Sequence, residues 1–261
     1  MSDDDKSLIK IDSLPGEQLY EDMVGPIASE FGEIGRSLLS FARIPLQHGS
    51  ERLEALLEDA TEDVPEDKQV PPHPAVGAPI VDNALLLPED DPLREMFRLL
   101  LTRAINEDEQ EHAHPAFAKI ITRLAPDEAH LLFRLSQRER LSHRTLKKRK
   151  DFDGKIGDLE EEAPGKRFRR IDDSIYDDFV YQPEKFDWLD FPENTRFYID
   201  HLESLGLIQR QPSFDDGTIF TCPNKSDQIA ELTKNYIFFT SFGHRFCKSC
   251  VPTDPRENWD W

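Results

Sequence analysis

His244, Cys247 and Cys250 form a His-x-x-Cys-x-x-Cys string near the end of the chain, and Cys222 precedes it. Three thiolates and one imidazole are a complete tetrahedral zinc set. Steps of three residues along one helix, however, rotate the ligands away from a common point, so the cysteines read as structural and no metal or other cofactor is expected. His112 and His114 sit among Glu107, Asp108, Glu109 and Glu111. That grouping also has metal-ligand chemistry, but such a charge run reads as a solvated loop, with His114 starting a helix. A third grouping is basic. Arg138, Arg140, Arg144, Lys147, Lys148, Arg149 and Lys150 fall within thirteen residues against one acid, Glu139. With Arg196 and His201 further on, they are the residues that would meet phosphate or base edges.

No Gly-x-Ser-x-Gly, P-loop, His-Glu-x-x-His or dinucleotide fingerprint occurs. Acids are so frequent that any carboxylate pair arises by chance. The expectation is therefore no enzyme and no small-molecule ligand; the enzymatic alternative is a hydrolase whose constellation forms only in the fold.

The chain has 261 residues, 52 acidic and 32 basic, for a net charge of −20. That balance argues against a general nucleic-acid coat. Residues 1–100 carry −14, residues 101–150 carry +4, and the remainder carries −10. The single basic zone thus lies between two acidic ones. No uncharged apolar run approaches the roughly 20 residues of a membrane span. The acidic start, MSDDDKSLIK, does not resemble a secretory signal. Three cysteines make no disulfide framework, so a cytoplasmic location is expected.

The elements that would position these residues follow from periodicity and punctuation. Residues 1–15 read as a loose N-terminus. Val24, Ile27, Ala28, Phe31, Ile34, Leu38 and Phe41 recur at helical steps, with Glu30, Glu33 and Arg36 opposite them. This helical pattern runs from about Gly16 to Arg43, and Gly16, Gly25, Gly32 and Gly35 weaken it but allow close approach of a neighbour. An amphipathic helix over 23–43 also raises a membrane-acting toxin as an alternative, which its acids disfavour. A second helix is expected from Gly49 to Asp59, then an acidic, proline-bearing linker to Pro74. Asp91-Pro92, His114-Pro115 and Ala125-Pro126-Asp127-Glu128 each carry helix-start signals. Between 139 and 187 the periodicity fades into alternating charge blocks, which predicts a flexible insertion or long surface loops. Order is expected again in a helix over Asn194–Leu205 stopped by Gly206, then Leu207-Ile208 and two β-rich segments, Thr218–Cys222 and Tyr236–Thr240. A last helix follows Thr240, and 252–261 reads as a tail.

Tyr198 to Ile208 together with Thr240-Ser241-Phe242-Gly243 resembles a winged-helix domain, with 125–138 supplying its first helix. More widely, the chain resembles the Abi-alpha family of bacterial proteins linked to abortive infection. The resemblance is carried by Gly25-Pro26 with Glu33 and Gly35, by Val70-Pro71-Pro72 through Pro79-Ile80-Val81, and by Leu93–Ile105. His114-Pro115-Ala116-Phe117, Leu124–Ala129 and Thr240–Cys250 complete it. One departure is Phe97-Arg98-Leu99-Leu100-Leu101, where such proteins usually show a Trp-Ala-Asn-Leu-Leu-type core. The resemblance implies a role in phage defence and no catalytic motif.

These readings combine into a mostly α protein. A helical domain occupies 16–124. A winged-helix-like domain with a small β wing occupies 125–138 and 188–251, interrupted by the charged insertion 139–187. The expected function is a non-enzymatic component of an anti-phage response, acting through a protein partner or self-association. The alternative is a winged-helix DNA-binding regulator, with weak, charge-driven attachment.

Overall fold

A computed structural model describes residues 27, 29–41, 50–138, 140–149, 160–162, 176–181, 186–221 and 228–252. The chain forms two compact units, Met1–Thr122 and Arg123–Trp261. The protein is mostly helical, with an antiparallel sheet in its second unit.

The first unit holds α1 (Gly32–Phe41), α2 (Ser50–Thr61), α3 (Pro74–Ala84), α4 (Pro92–Ile105) and α5 (Pro115–Ile121). α4 is its axis. Met96, Phe97, Leu100, Leu101, Ala104 and Ile105 are buried along one stripe, against which α2, α3 and α5 pack. The start signals act as read: Asp91 Oδ1 accepts from the Leu93 amide at 2.8 Å, and His114 Nδ1 from the Ala116 amide at 3.1 Å. His73 caps α3 in the same way, at 3.1 Å from the Ala75 amide. Pro79 lies inside α3. Burial of Val76, Ile80, Val81 and Ala84 outweighs that proline's lost amide.

Two expectations for this unit need correction. Of the amphipathic run over 23–43, the described part, 29–41, is not one straight helix: Gly32 takes φ +54°, and a Cβ on Gly35 would lie 2.6 Å from the Ile27 carbonyl oxygen. The glycines therefore admit the chain's own preceding turn. Ile27, Ile34 and Leu38 are buried, and α1 packs on α3, so this face is not free to lie on a membrane. Among the described residues no helix is long and apolar enough to cross one. The supposed linker is also tied down. The Val70 amide donates to the Ile105 carbonyl at 2.8 Å, and the Glu107 amide to the Lys68 carbonyl at 2.9 Å. Main-chain pairing leaves no trace in composition.

The second unit opens with α6 (Pro126–Ser136) and continues through β1 (Leu141–Arg149), β2 (Glu160–Glu162) and β3 (Tyr176–Tyr181). α7 (Thr195–Ser204), β4 (Ile208–Thr221), β5 (Gln228–Phe239) and α8 (Ser241–Cys250) complete it. The strands form one antiparallel sheet in the order β2-β4-β5-β1-β3. The charge-blocked stretch 139–187 is thus not merely loops. β1 lies between β5 and β3, with Lys147 opposite Glu231 and Asp178, and Lys148 opposite Asp177. Alternating charge blocks look like a solvated polyampholyte along the chain, yet put opposite charges at cross-strand positions once strands pair.

Gly206 closes α7 at φ +73°, as its position predicts. The Thr240-Ser241-Phe242-Gly243 sequence then locks α8 onto this turn. Thr240 caps α8 by accepting from the Gly243 amide at 2.8 Å, and donates its hydroxyl to the Gly206 carbonyl at 2.5 Å. A Cβ on Gly243 would meet the Leu207 carbonyl oxygen at 1.8 Å, so only glycine lets the helix sit this close.

Candidate functional site

The most unusual polar grouping of the second unit lies between α6 and α7. Asp127 and Glu128 are 2% and 1% exposed. Their positions in the first turn of α6 follow from the helix dipole, and Glu128 accepts from the amide of the N-cap residue, Ala125, at 2.8 Å. Their burial was not legible, because it depends on what covers that turn. Asp127 accepts from the amides of Asp190 and Phe191 at 2.8 and 3.0 Å, fixing the segment that leads into α7. Phe186 and Leu189 of that segment are buried, and Trp188 lies under the Arg134 guanidinium at 5.3 Å.

His201, expected as a nucleic-acid contact, instead turns Nδ1 toward Glu128 Oε1 at 2.7 Å. Burial raises the Glu128 carboxyl above its ordinary value, although its bonds to Ala125 and His201 act in the opposite sense. Tyr198, one turn before His201, is pushed up to about 12 by burial, with Asp127 beside its hydroxyl adding to the effect. A carboxylate–imidazole pair is the core of a nucleophilic triad. Here Ser204, one turn further on, donates its hydroxyl to the His201 carbonyl at 2.7 Å rather than to the imidazole. The geometry is that of a latch joining α6 to α7.

The other expected phosphate contact on α7 is occupied too. Arg196 Nε donates to both oxygens of Asp200, at 3.0 and 3.2 Å. Arg210 of β4 lies 2.6 Å from Asp200 and also binds Glu203. α7 therefore presents internally balanced charge. Beside it stand two exposed aromatics, Phe191 at 57% and Phe197 at 66%. The Phe197 ring stacks on His201, with centroids 6.1 Å apart.

Of the basic run, Arg138 and Arg140 are exposed, and the Arg140 guanidinium lies 4.3 Å above the Tyr236 ring. Arg144, Lys147, Lys148 and Arg149 are carried by β1, whereas Lys150 lies outside the described residues. Arg196 and His201 themselves are held by Asp200 and Glu128.

The His-x-x-Cys-x-x-Cys string lies on α8. His244 is exposed beside Phe239, whereas Cys247 and Cys250 are buried. Burial pushes the Cys247 thiol up to about 12. Cys222 lies outside the described residues. Among those described, no three of His, Cys, Asp and Glu are grouped to hold a metal, the Glu107–His114 stretch included. In that stretch His112 lies 3.9 Å from Glu111, and Lys68 pairs with Asp108 at 3.3 Å.

A family model described as abortive infection alpha matches residues 46–250 of this chain. No curated protein and no solved structure matches it.

Proposed function

The chain belongs to the abortive infection alpha family, and from that premise we propose that it is a non-enzymatic component of a bacterial anti-phage response, working in the cytoplasm through protein contacts. The contact surface is the α7 face of the second unit, read as a winged helix whose recognition element has been turned to protein binding. One observation carries this reading: α7 offers exposed Phe197, with Phe191 just before it, while Arg196, His201 and Arg210 are each engaged by a carboxylate. Phosphate recognition needs cations free to release counterions. Aromatic side chains with balanced surrounding charge suit a protein partner or a second copy of the chain.

The test is phage plating, with survival of the infected cells, on cells with and without the gene. Protection with cell death is expected from the wild type. F197D and F191D, which change exposed side chains that make none of the latch's hydrogen bonds, should abolish it while retaining the wild-type melting temperature. Full protection from both variants would refute the α7 surface.

A second reading, a DNA-binding regulator, draws support from exposed Arg138 and Arg140 next to the basic strand. It requires submicromolar, sequence-dependent binding that survives about 200 mM salt. Attachment that is weak, unselective and lost when Lys147, Lys148, Arg149 and Lys150 become alanine would instead agree with protein contacts as the main role.

A further inference from the structure

Arg94 of α4 is the most deeply buried cation among the described residues. The residue is 6% exposed, and its Nη1 has no hydrogen-bond acceptor. Its ion-pair partner, Glu89 Oε1, stands 3.9 Å away on a side chain that is 77% exposed. That distance exceeds hydrogen-bond reach, and the carboxylate is solvated. Arginine cannot escape the cost of burial by losing its proton. A buried guanidinium N–H left without an acceptor is unfavourable, and an anion brought to it relieves that cost.

There is room for one. Arg94 lines a cleft of about 160 Å³ between α2 and the start of α4. Arg98, on the same wall, is already committed. Its Nε and Nη2 donate to the two Glu95 oxygens at 2.7 and 2.6 Å, and Nη1 to the Asp59 carbonyl at 3.2 Å. Arg94 is therefore the guanidinium of this cleft with a buried N–H group left without an acceptor. Asp59, Glu89 and Glu95 set three carboxylates in the lining against two guanidiniums, a balance that repels nucleic acid, nucleotides and other polyanions far more than a single carboxylate. Leu56, 1% exposed, supplies an apolar wall. The volume is about five times that of a water molecule in the liquid.

We propose that this cleft is a binding site for a small monocarboxylate, its two oxygens seated on the Arg94 guanidinium and its short alkyl tail against Leu56. The planar fork of Arg94 matches a carboxylate in bidentate fashion. The site lies in the first unit and is independent of the α7 surface.

Amide chemical shifts of the full-length protein, followed during titration with sodium acetate, propionate and butyrate at fixed ionic strength, test it. Saturable shifts are expected at Leu56, Asp59, Glu89 and Glu95, with Kd of about 1–10 mM, butyrate binding tighter than acetate. Sodium phosphate and sodium chloride should give no saturation. R94Q should weaken butyrate at least tenfold. Should R94Q fail to fold, E89Q decides. Removing the competing carboxylate should tighten butyrate at least threefold. Non-saturating shifts, phosphate binding in preference to butyrate, unchanged affinity in folded R94Q, or unchanged or weaker affinity in E89Q each overturn the proposal.

Discussion

Replacing Gly243 by alanine sets two effects of opposite sign against each other. Gly243 lies in the first turn of α8, and alanine there raises helix propensity by about 1 kcal/mol. The added Cβ, however, would lie 1.8 Å from the Leu207 carbonyl oxygen and 2.7 Å from its carbon, where real contacts stay beyond 3.0 Å. The opposing atoms of Leu207 are all backbone, so no side chain can swing aside. α8 must retreat by about 1.2 Å, with an overpacking cost of about 1–3 kcal/mol. The retreat also stretches the bonds from Thr240 to the Gly206 and Leu207 carbonyls, each worth about 1 kcal/mol. The Thr240 cap on Gly243 is internal to α8 and moves with it. The clash therefore wins by about 2–4 kcal/mol, a fall of roughly 5–15 °C in melting temperature for a chain of this size. Differential scanning calorimetry reads it directly. Gly206→Ala is the control: nothing lies within 4 Å of its Cβ position, so only the positive φ is penalised, at about 1–2 kcal/mol. A G243A protein that melts at or above the wild type would refute the reasoning, because helix propensity would then have exceeded the contact.

Three further outcomes are expected. The Glu128 carboxyl is raised in the folded state, so its contribution to stability is fully present below the unfolded value of 4.5 and declines as pH rises through the native one; urea midpoints across that window should fall with pH in the wild type and less steeply in E128Q, and identical slopes would contradict it. Cys247, with its thiol near 12, should resist a thiol reagent at about pH 8 until the second unit unfolds, so modification at the rate of a free thiol would show the site to be open. Asp127→Ala should cost about 2–4 kcal/mol by calorimetry, since it removes the buried carboxylate that accepts from the Asp190 and Phe191 amides, and a loss under 0.5 kcal/mol would mean that segment is held by its apolar side chains alone.

Local signals in the sequence decided most of the helices. Asp91-Pro92, His114-Pro115 and Ala125–Glu128 each place a capping acceptor and a proline where a helix must begin, and α4, α5 and α6 begin there. Gly206 and Thr240 mark a turn and a cap whose chemistry is contained within a few neighbouring residues. The family resemblance was legible for the same reason, since it rests on runs such as Leu93–Ile105. What depended on distant partners was not legible. The charge blocks of 139–187 read as solvated until β1 finds β3 and β5, because a strand's pairing is set by residues far along the chain. Asp127 and Glu128 read as ordinary first-turn carboxylates. Only the return of the chain at Asp190 and His201 buries them, and that same return takes His201 away from the phosphate contact its residue type suggested. Arg94 gave no signal at all, because a guanidinium's missing acceptor exists only once α2 and α4 have closed around it.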